Sequence, residues 1–393
     1  MRRWISDLGP ALTLRRQQNL YRQRLTLGTA QGPLVQLKGR EYLNFSSNDY
    51  LGLANHPAVI SAFQSSAEQY GVGAGASHLV VGHQQPHEDL EAALAKFTGR
   101  DRALLFSGGY MANLGVLKAL LSKDDIIIQD KLNHASLIDG GIASGAQLLR
   151  YKHNDLDHLE QLLKKLPPND NGMRKILAVD GVFSMDGDIA PLDTLADICD
   201  AHDIALMVDD AHGFGVVGEQ GAGCADHFGL EQARLPIVMG TLGKALGVSG
   251  AFVAGSHEMI ETLIQYSRTY IYTTALPPAC AAAALQSLNM MNAEPERHQH
   301  LQRVISYFCE AISHLKFNIL PSTTAIQPLI IGDSEKALVL SQALFDAGLL
   351  VSAIRPPTVP KGSARLRITL TAAHSFAQID QLIDVLRQHE NLV

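Results

Sequence analysis

The chain has 393 residues, 46% hydrophobic and 18% charged, with 32 Lys and Arg against 39 Asp and Glu for a formal charge of −7. That composition excludes a small disulfide scaffold and a disordered chain, and slight acidity without any Lys/Arg run excludes a nucleic-acid binder. Apolar stretches such as Ile204–Val208 and Cys280–Leu285 fall far short of the roughly 18 residues a membrane span needs, and Ser6, Asp7, Gly9 and Pro10 break any signal-peptide core, so a cytoplasmic protein is expected.

In chain order, residues 1–45 read as a helical, basic segment carrying Arg15, Arg16, Arg22 and Arg24. Residues 46–280 read as a large α/β domain. Within it the runs Ala103–Phe106, Ile126–Gln129, Lys175–Val179, Ala205–Val208, Ile237–Met239 and Ala251–Ala254 alternate with amphipathic stretches such as Leu156–Leu166 and Pro191–His202. Short runs that are apolar on both faces suit a parallel sheet covered by helices. Residues 281–393 read as a smaller α+β domain, with runs at Ile326–Ile331, Leu350–Ile354 and Arg365–Thr369 and a helix near Glu335–Ala347. Cys199, Cys224, Cys280 and Cys309 form no C-x-x-C pair and read as buried small hydrophobes.

Gly213–Gly218 fits G-x-G-x-x-G, the mark of a nicotinamide-type dinucleotide site. However, Asp209–His212 separate it from the preceding strand, and the glycine-rich run after it suits a turn better than a helix. Lys244 stands among Gly240, Gly243 and Gly247, but Val238 and Ala245 occupy positions where a P-loop requires Gly and Ser or Thr. A surface lysine is one reading of it; the other is a desolvated lysine, which becomes a Schiff-base nucleophile. Asp209 ends an apolar strand and His212 follows three residues later, at the edge of a sheet where ligands bind. A carboxylate for a pyridinium nitrogen and an amine for an aldehyde would then share one sheet edge. Phe106–Asn113 places two glycines at a helix start, a cradle for phosphate, and His134 opens another helix, either as a cap or as a cover for a ring. No metal site is expected: Pro86 separates His83 from His87, and His298 and His300 read as an exposed turn.

These segments resemble the α-oxoamine synthases, fold-type-I enzymes that use pyridoxal 5′-phosphate, and the resemblance runs nearly end to end. It is carried by Asn44–Leu53, Asn133–Ser136, Gly181–Gly187, Val208–Gly213 and Thr241–Lys244. It implies a large domain with a mostly parallel seven-stranded sheet and a smaller C-terminal domain. By the same resemblance Lys244 carries the cofactor and moves the substrate α-proton, Asp209 pairs with the ring nitrogen, His212 and Ser184 face the ring hydroxyl, and His134 stacks on the ring. Thr241 and the backbone of Gly109 and Tyr110 hold the phosphate, with Thr273 or Thr274 reaching the site of the other chain in a homodimer. Arg367 corresponds to the clamp on the amino-acid carboxylate, Asn48 and His134 to residues at the substrate, and Arg22 (or Arg24) with Thr358 to contacts of the acyl group. Arg355–Pro360 and Ala364–Arg367 bring the likeness nearest to members that join L-alanine to a pimeloyl thioester with loss of CO₂, the acyl group riding on coenzyme A or an acyl carrier protein. A member acting on glycine and an acetyl thioester is the alternative. Relatives often have a small residue where Leu79 stands.

Overall fold

The protein is described by a computed structural model over residues 3–167 and 172–392. Its contacts separate two compact units, the larger running over Asn48–Ser184 and Asp188–Gln302, the smaller over the chain up to Ser47, Met185–Gly187 and the chain from Arg303 on.

The smaller unit begins with a short turn of helix and the helix Leu8–Gln17, after which the chain is extended and forms β1 (Leu34–Leu37) and β2 (Arg40–Asn44). The stretch expected to be helical over residues 1–45 is therefore helical only at its start. The reason is visible in what it packs against: Leu8–Gln17 buries no side chain, whereas Val35, Leu37 and Tyr42 alternate inward and form a small core with one another, as strands with one buried face do.

In the larger unit seven strands form the central sheet: β3 (Arg102–Phe106), β4 (Ile126–Asp130), β5 (Gln147–Tyr151), β6 (Lys175–Asp180), β7 (Ala205–Asp209), β8 (Ile237–Thr241) and β9 (Ala251–Gly255). Their order is β3-β9-β8-β7-β6-β4-β5. β9 runs antiparallel to both neighbours and the remaining pairs are parallel. Strand β5 does not stand out in the sequence because it is the edge strand and only its last residue is fully buried. The interior strands are buried along their length, and each fully buried Leu, Ile or Val contributes about 1.5–3 kcal/mol. The helix Leu192–His202 covers the sheet with Leu192, Leu195 and Ile198 and starts one residue after Pro191. Leu156–Leu163 starts where Asp155 accepts the His158 N–H at 2.8 Å and stops short of Leu166. The helix Pro278–Ala293 belongs to this unit, packing on the helices Pro57–Tyr70 and Gln85–Thr98.

This topology sends β4, β6 and β7 out of the sheet at the same edge, and each ends in an aspartate: Asp130, Asp180 and Asp209. Asp180 and Asp209 are direct partners across the β6–β7 ladder. In the smaller unit β10 (Asn318–Ile319), β11 (Ile326–Gly332), β12 (Leu349–Leu350), β13 (Ser352–Ile354) and β14 (Ala364–Thr369) complete the strands. β12 joins β2 in parallel, and the other four form an antiparallel sheet, β10-β11-β14-β13. Cys199 and Cys224 are buried, but Cys280 and Cys309 are only half-buried, a departure from the expectation for all four. No helix among the described residues is long and apolar enough to cross a membrane.

Candidate active site

At the carboxyl edge of the central sheet lies a cavity of about 200 Å³, lined among others by Lys244, Asp209, His134, His212, Gly109 and Thr241. The strand ends and glycine turns bring these together from a stretch of sequence running from Gly109 to Lys244. Lys244 projects from a compact turn after β8. Thr241 Oγ1 donates to the Gly250 carbonyl at 3.0 Å and accepts the Gly243 N–H at 3.2 Å, and the Gly247 N–H donates to the Lys244 carbonyl at 2.9 Å. Gly247 has φ +69°, and a Cβ there would lie 2.3 Å from the Ala54 nitrogen, so the turn requires glycine.

Asp209, at the end of β7, is 5% exposed. One of its oxygens accepts the Ala211 N–H at 3.0 Å and the other a side-chain N–H of Asn113 at 2.6 Å. Asp180, its ladder partner, accepts the His134 N–H at 3.0 Å through one oxygen, while the other is buried without a hydrogen bond. Burial first, then the nearby Asp209 charge, pushes the Asp180 pKa well above the carboxylate range, against a smaller downward pull from Lys244. The His134 side chain caps the helix Ala135–Ser144 by accepting the Ser136 N–H, and its ring is exposed at the cavity. The capping reading of His134 is therefore met, with its ring left at the cavity. His212 Nδ1 lies 2.5 Å from the Tyr50 hydroxyl, which also reaches Asn48 Oδ1 at 3.4 Å. Tyr50, Asn113 and Asp180 were not singled out from sequence. Asp180 shares with Asp209 the pattern of an acid closing an apolar strand, which could have drawn attention to it.

The helix Gly109–Leu120 presents its start to the cavity with no side-chain cap and no acidic residue in its first turn. Free N–H groups and the helix dipole there suit a phosphate. The Tyr110 hydroxyl pairs with Asp139. Ser184, Thr273, Thr274 and Asn48 are not among the residues lining the cavity; Thr273 and Thr274 follow the exposed Tyr272, and Thr274 is itself exposed. Arg367, Arg22 and Thr358 belong to the smaller unit. There Arg22 donates to Thr358 Oγ1 at 3.2 Å, and Arg367, on β14, donates to Thr369 Oγ1 at 2.8 Å.

Gly213–Gly218 is a run of turns that opens no helix, and its glycines serve packing. A Cβ on Gly213 would lie 2.0 Å from Asp210 Oδ1, and one on Gly215 2.2 Å from the Ala245 Cβ. The helix that a dinucleotide fingerprint needs is missing from this segment. His298 and His300, expected in an exposed turn, are half-buried in the helix Pro295–Ser313, where His298 Nε2 donates to the Val216 carbonyl at 2.9 Å. His83 and His87, separated by Pro86, do meet in space, together with His78. Both nitrogens of His87 are engaged, Nε2 donating to the Leu276 carbonyl at 2.6 Å and Nδ1 accepting the Gln84 N–H at 2.9 Å. Burial and the other two histidines hold the His78 pKa down at about 3.

A lysine on a glycine turn, a buried acid one strand away and an uncapped helix start around one cavity fit an aromatic aldehyde phosphate in all three of its functional groups. Residues 40–386 match the family model of aminotransferase classes I and II, which places the chain among the fold-type-I pyridoxal-phosphate transferases. Curated relatives named 8-amino-7-oxononanoate synthase are 54% identical over 389 residues in Hahella chejuensis (99% of this chain, 97% of that one). The relative of the same name in Pseudomonas putida is 55% identical over 382 residues (97% of each). Among solved structures, a serine palmitoyltransferase from S. paucimobilis with a bound pyridoxal phosphate–myriocin conjugate superposes with a TM-score of 0.93 at 30% identity, covering 100% of this chain and 99% of that one. The 8-amino-7-oxononanoate synthase of Francisella tularensis gives 0.77 at 34% identity, covering 89% and 98%. The chain belongs to the α-oxoamine synthase family of pyridoxal-phosphate enzymes, and pyridoxal 5′-phosphate is its cofactor.

Proposed function

We propose that the protein condenses L-alanine with a pimeloyl thioester to give 8-amino-7-oxononanoate, CO₂ and free thiol, a step of biotin biosynthesis, acting in the cytoplasm as a homodimer. What carries the reading is the convergence of Lys244 and Asp209 on one cavity in a chain 54% identical to synthases of that name over nearly its full length. The cofactor supplies an electron sink for negative charge developing at the amino-acid α-carbon. Lys244 Nζ holds the cofactor, takes the α-proton of alanine and returns one at the end. The α-carbon attacks the thioester carbonyl, the C–S bond breaks with the electron pair leaving on sulfur, and the bond to the carboxylate then breaks as CO₂ departs. Asp209 keeps the ring nitrogen protonated, His134 covers the ring, His212 and Ser184 address its hydroxyl, and Thr241 with the N–H groups of Gly109 and Tyr110 holds the phosphate. Arg367 offers a bidentate fork to the alanine carboxylate, Asn48 joins it at the substrate, and Arg22 with Thr358 meets the acyl group on its coenzyme A or carrier protein.

A second copy suits the larger unit's surface. Val80, Val81, Tyr266 and Tyr272 are each about two-thirds or more exposed, and Tyr272 leads directly into Thr273 and Thr274, which would serve the neighbouring site. Four free thiols suit a reducing compartment. The test is turnover by the purified, cofactor-loaded protein with alanine, glycine or serine against pimeloyl and acetyl thioesters, with products identified by mass. Pimeloyl thioester and alanine should be the preferred pair; preference for glycine and an acetyl thioester would replace this reading with the alternative.

A further inference from the structure

The buried hydrogen bonds behind Asp209 form one connected unit. Asn113, on the helix Gly109–Leu120, is fully buried. Its amide nitrogen donates to Asp209 Oδ2 at 2.6 Å and to Ser136 Oγ at 2.8 Å. Ser136 Oγ in turn lies 2.7 Å from His134 Nδ1. Because His134 Nδ1 also accepts the Ser136 backbone N–H, that nitrogen is an acceptor, so the Ser136 hydroxyl donates to it and accepts from Asn113. All donors therefore run one way, from Asn113 through Ser136 to His134, while the second Asn113 proton is spent on Asp209.

The carboxamide pays for this orientation. Its oxygen is buried with no hydrogen bond, a loss that a purely structural asparagine would avoid. Turning the amide over would aim that oxygen at the Asp209 carboxylate, so the carboxylate fixes which way it faces. One glycine makes the approach possible. A Cβ on Gly140 would lie 2.9 Å from Leu117 Cδ1 and 3.1 Å from the Asn113 carbonyl. The helix Ala135–Ser144 thus sits close enough to the helix Gly109–Leu120 for Ser136 to meet Asn113.

We propose that Asn113 is a positioning residue whose carboxamide fixes the Asp209 carboxylate and, through Ser136, the His134 ring, as one hydrogen-bonded unit around the cofactor ring. The inference rests on the reading that Asp209 faces the ring nitrogen. With Asn113 removed, Asp209 is held by a single backbone N–H and protonates the ring less firmly. With the cofactor held, the Lys244 nitrogen would then keep its proton to higher pH, because the electron sink it faces is weaker.

The experiment titrates the visible absorption of the cofactor-loaded protein with pH for the parent and for Asn113→Ala, Ser136→Ala and Asp209→Asn, and measures turnover beside it. For Asn113→Ala the pH midpoint should rise by about one unit, equivalent to a tenfold change. Its kcat should fall about ten- to a hundredfold, as loss of a hydrogen bond to a charged group implies, with KM for the amino acid nearly unchanged. Ser136→Ala should move the midpoint the same way by less. An unmoved midpoint and kcat in Asn113→Ala overturns the proposal. If that variant does not fold, Asn113→Leu, which fills the space without a donor, is titrated in its place, and an unmoved midpoint there overturns the proposal equally. Asp209→Asn separates the two ideas: if it leaves the midpoint unmoved, the pairing of Asp209 with the ring nitrogen fails, whereas a shift in Asp209→Asn alone overturns only the role of Asn113.

Discussion

Gly213→Ala isolates the packing role of the glycine run that looks like a nucleotide fingerprint. The new Cβ would stand 2.0 Å from Asp210 Oδ1 and 2.7 Å from Cys224 Sγ, well inside ordinary contact. Asp210 has nowhere to move. Its other oxygen accepts the Cys224 N–H at 2.8 Å, and bare glycines press on it, since a Cβ on Gly223 would lie 2.0 Å from Oδ2 and one on Gly181 2.8 Å from Oδ1. Overpacking costs about 1–3 kcal/mol and a disrupted buried hydrogen bond about 1–3 more, so roughly 2–6 kcal/mol is expected. An unfolding entropy of about 2.1 cal/mol/K per residue converts that to a drop of roughly 2–7 °C in the melting temperature of a chain this long. The assay is thermal melting beside Gly243→Ala, where the nearest atom to a new Cβ is 3.7 Å away and φ is not in the left-handed region; that variant should stay within about 1 kcal/mol of the parent. If Gly213→Ala melts with the parent and Gly243→Ala does not, the packing account of the run is wrong.

Three further outcomes are expected. Lys244→Ala should abolish both turnover and the visible band of the lysine-bound cofactor while leaving the fold intact; a retained band means another amine carries the group. Asp180→Asn should keep turnover within about threefold, under ~1 kcal/mol, because burial and the Asp209 charge favour the neutral carboxyl that an amide mimics; a hundredfold loss would show that the ionised form is used. Glu91 is buried and accepts the Leu105 N–H at 2.8 Å, and burial pushes its pKa up from 4.5 to about 8. The folded state therefore holds a proton that the unfolded state releases. Stability falls as pH rises between those values, by as much as about 5 kcal/mol at the upper end. Melting curves of Glu91→Gln and the parent should diverge as pH rises, the variant gaining; parallel curves across that range would contradict this.

Much of the larger unit was legible because parallel strands buried on both faces leave compact apolar runs, and β6, β7 and β8 appear in the sequence within a residue or two of where they form. Edge strand β5 was not, since a half-wetted strand with Gln147 and Arg150 carries no such run. Nor was the pairing of β2 with β12, about three hundred residues away along the chain, which no local pattern announces. The same division holds in the site. Lys244, Asp209, Thr241, Gly109 and His134 sit at strand ends or helix starts, where glycines and terminal acids mark the position. Asn113 lies inside a helix, and its partners come from a second helix and from a strand end far along the chain.

With Asn113 positioning Asp209 as proposed, Gly140 of the helix Ala135–Ser144 would make the colour of this protein a gauge of something remote from its chromophore. A methyl group at residue 140 touches no catalytic side chain, yet it would wedge two helices apart at the place where an amide leans on an acid. A spectrum could therefore report a packing lesion that an inventory of active-site residues would overlook.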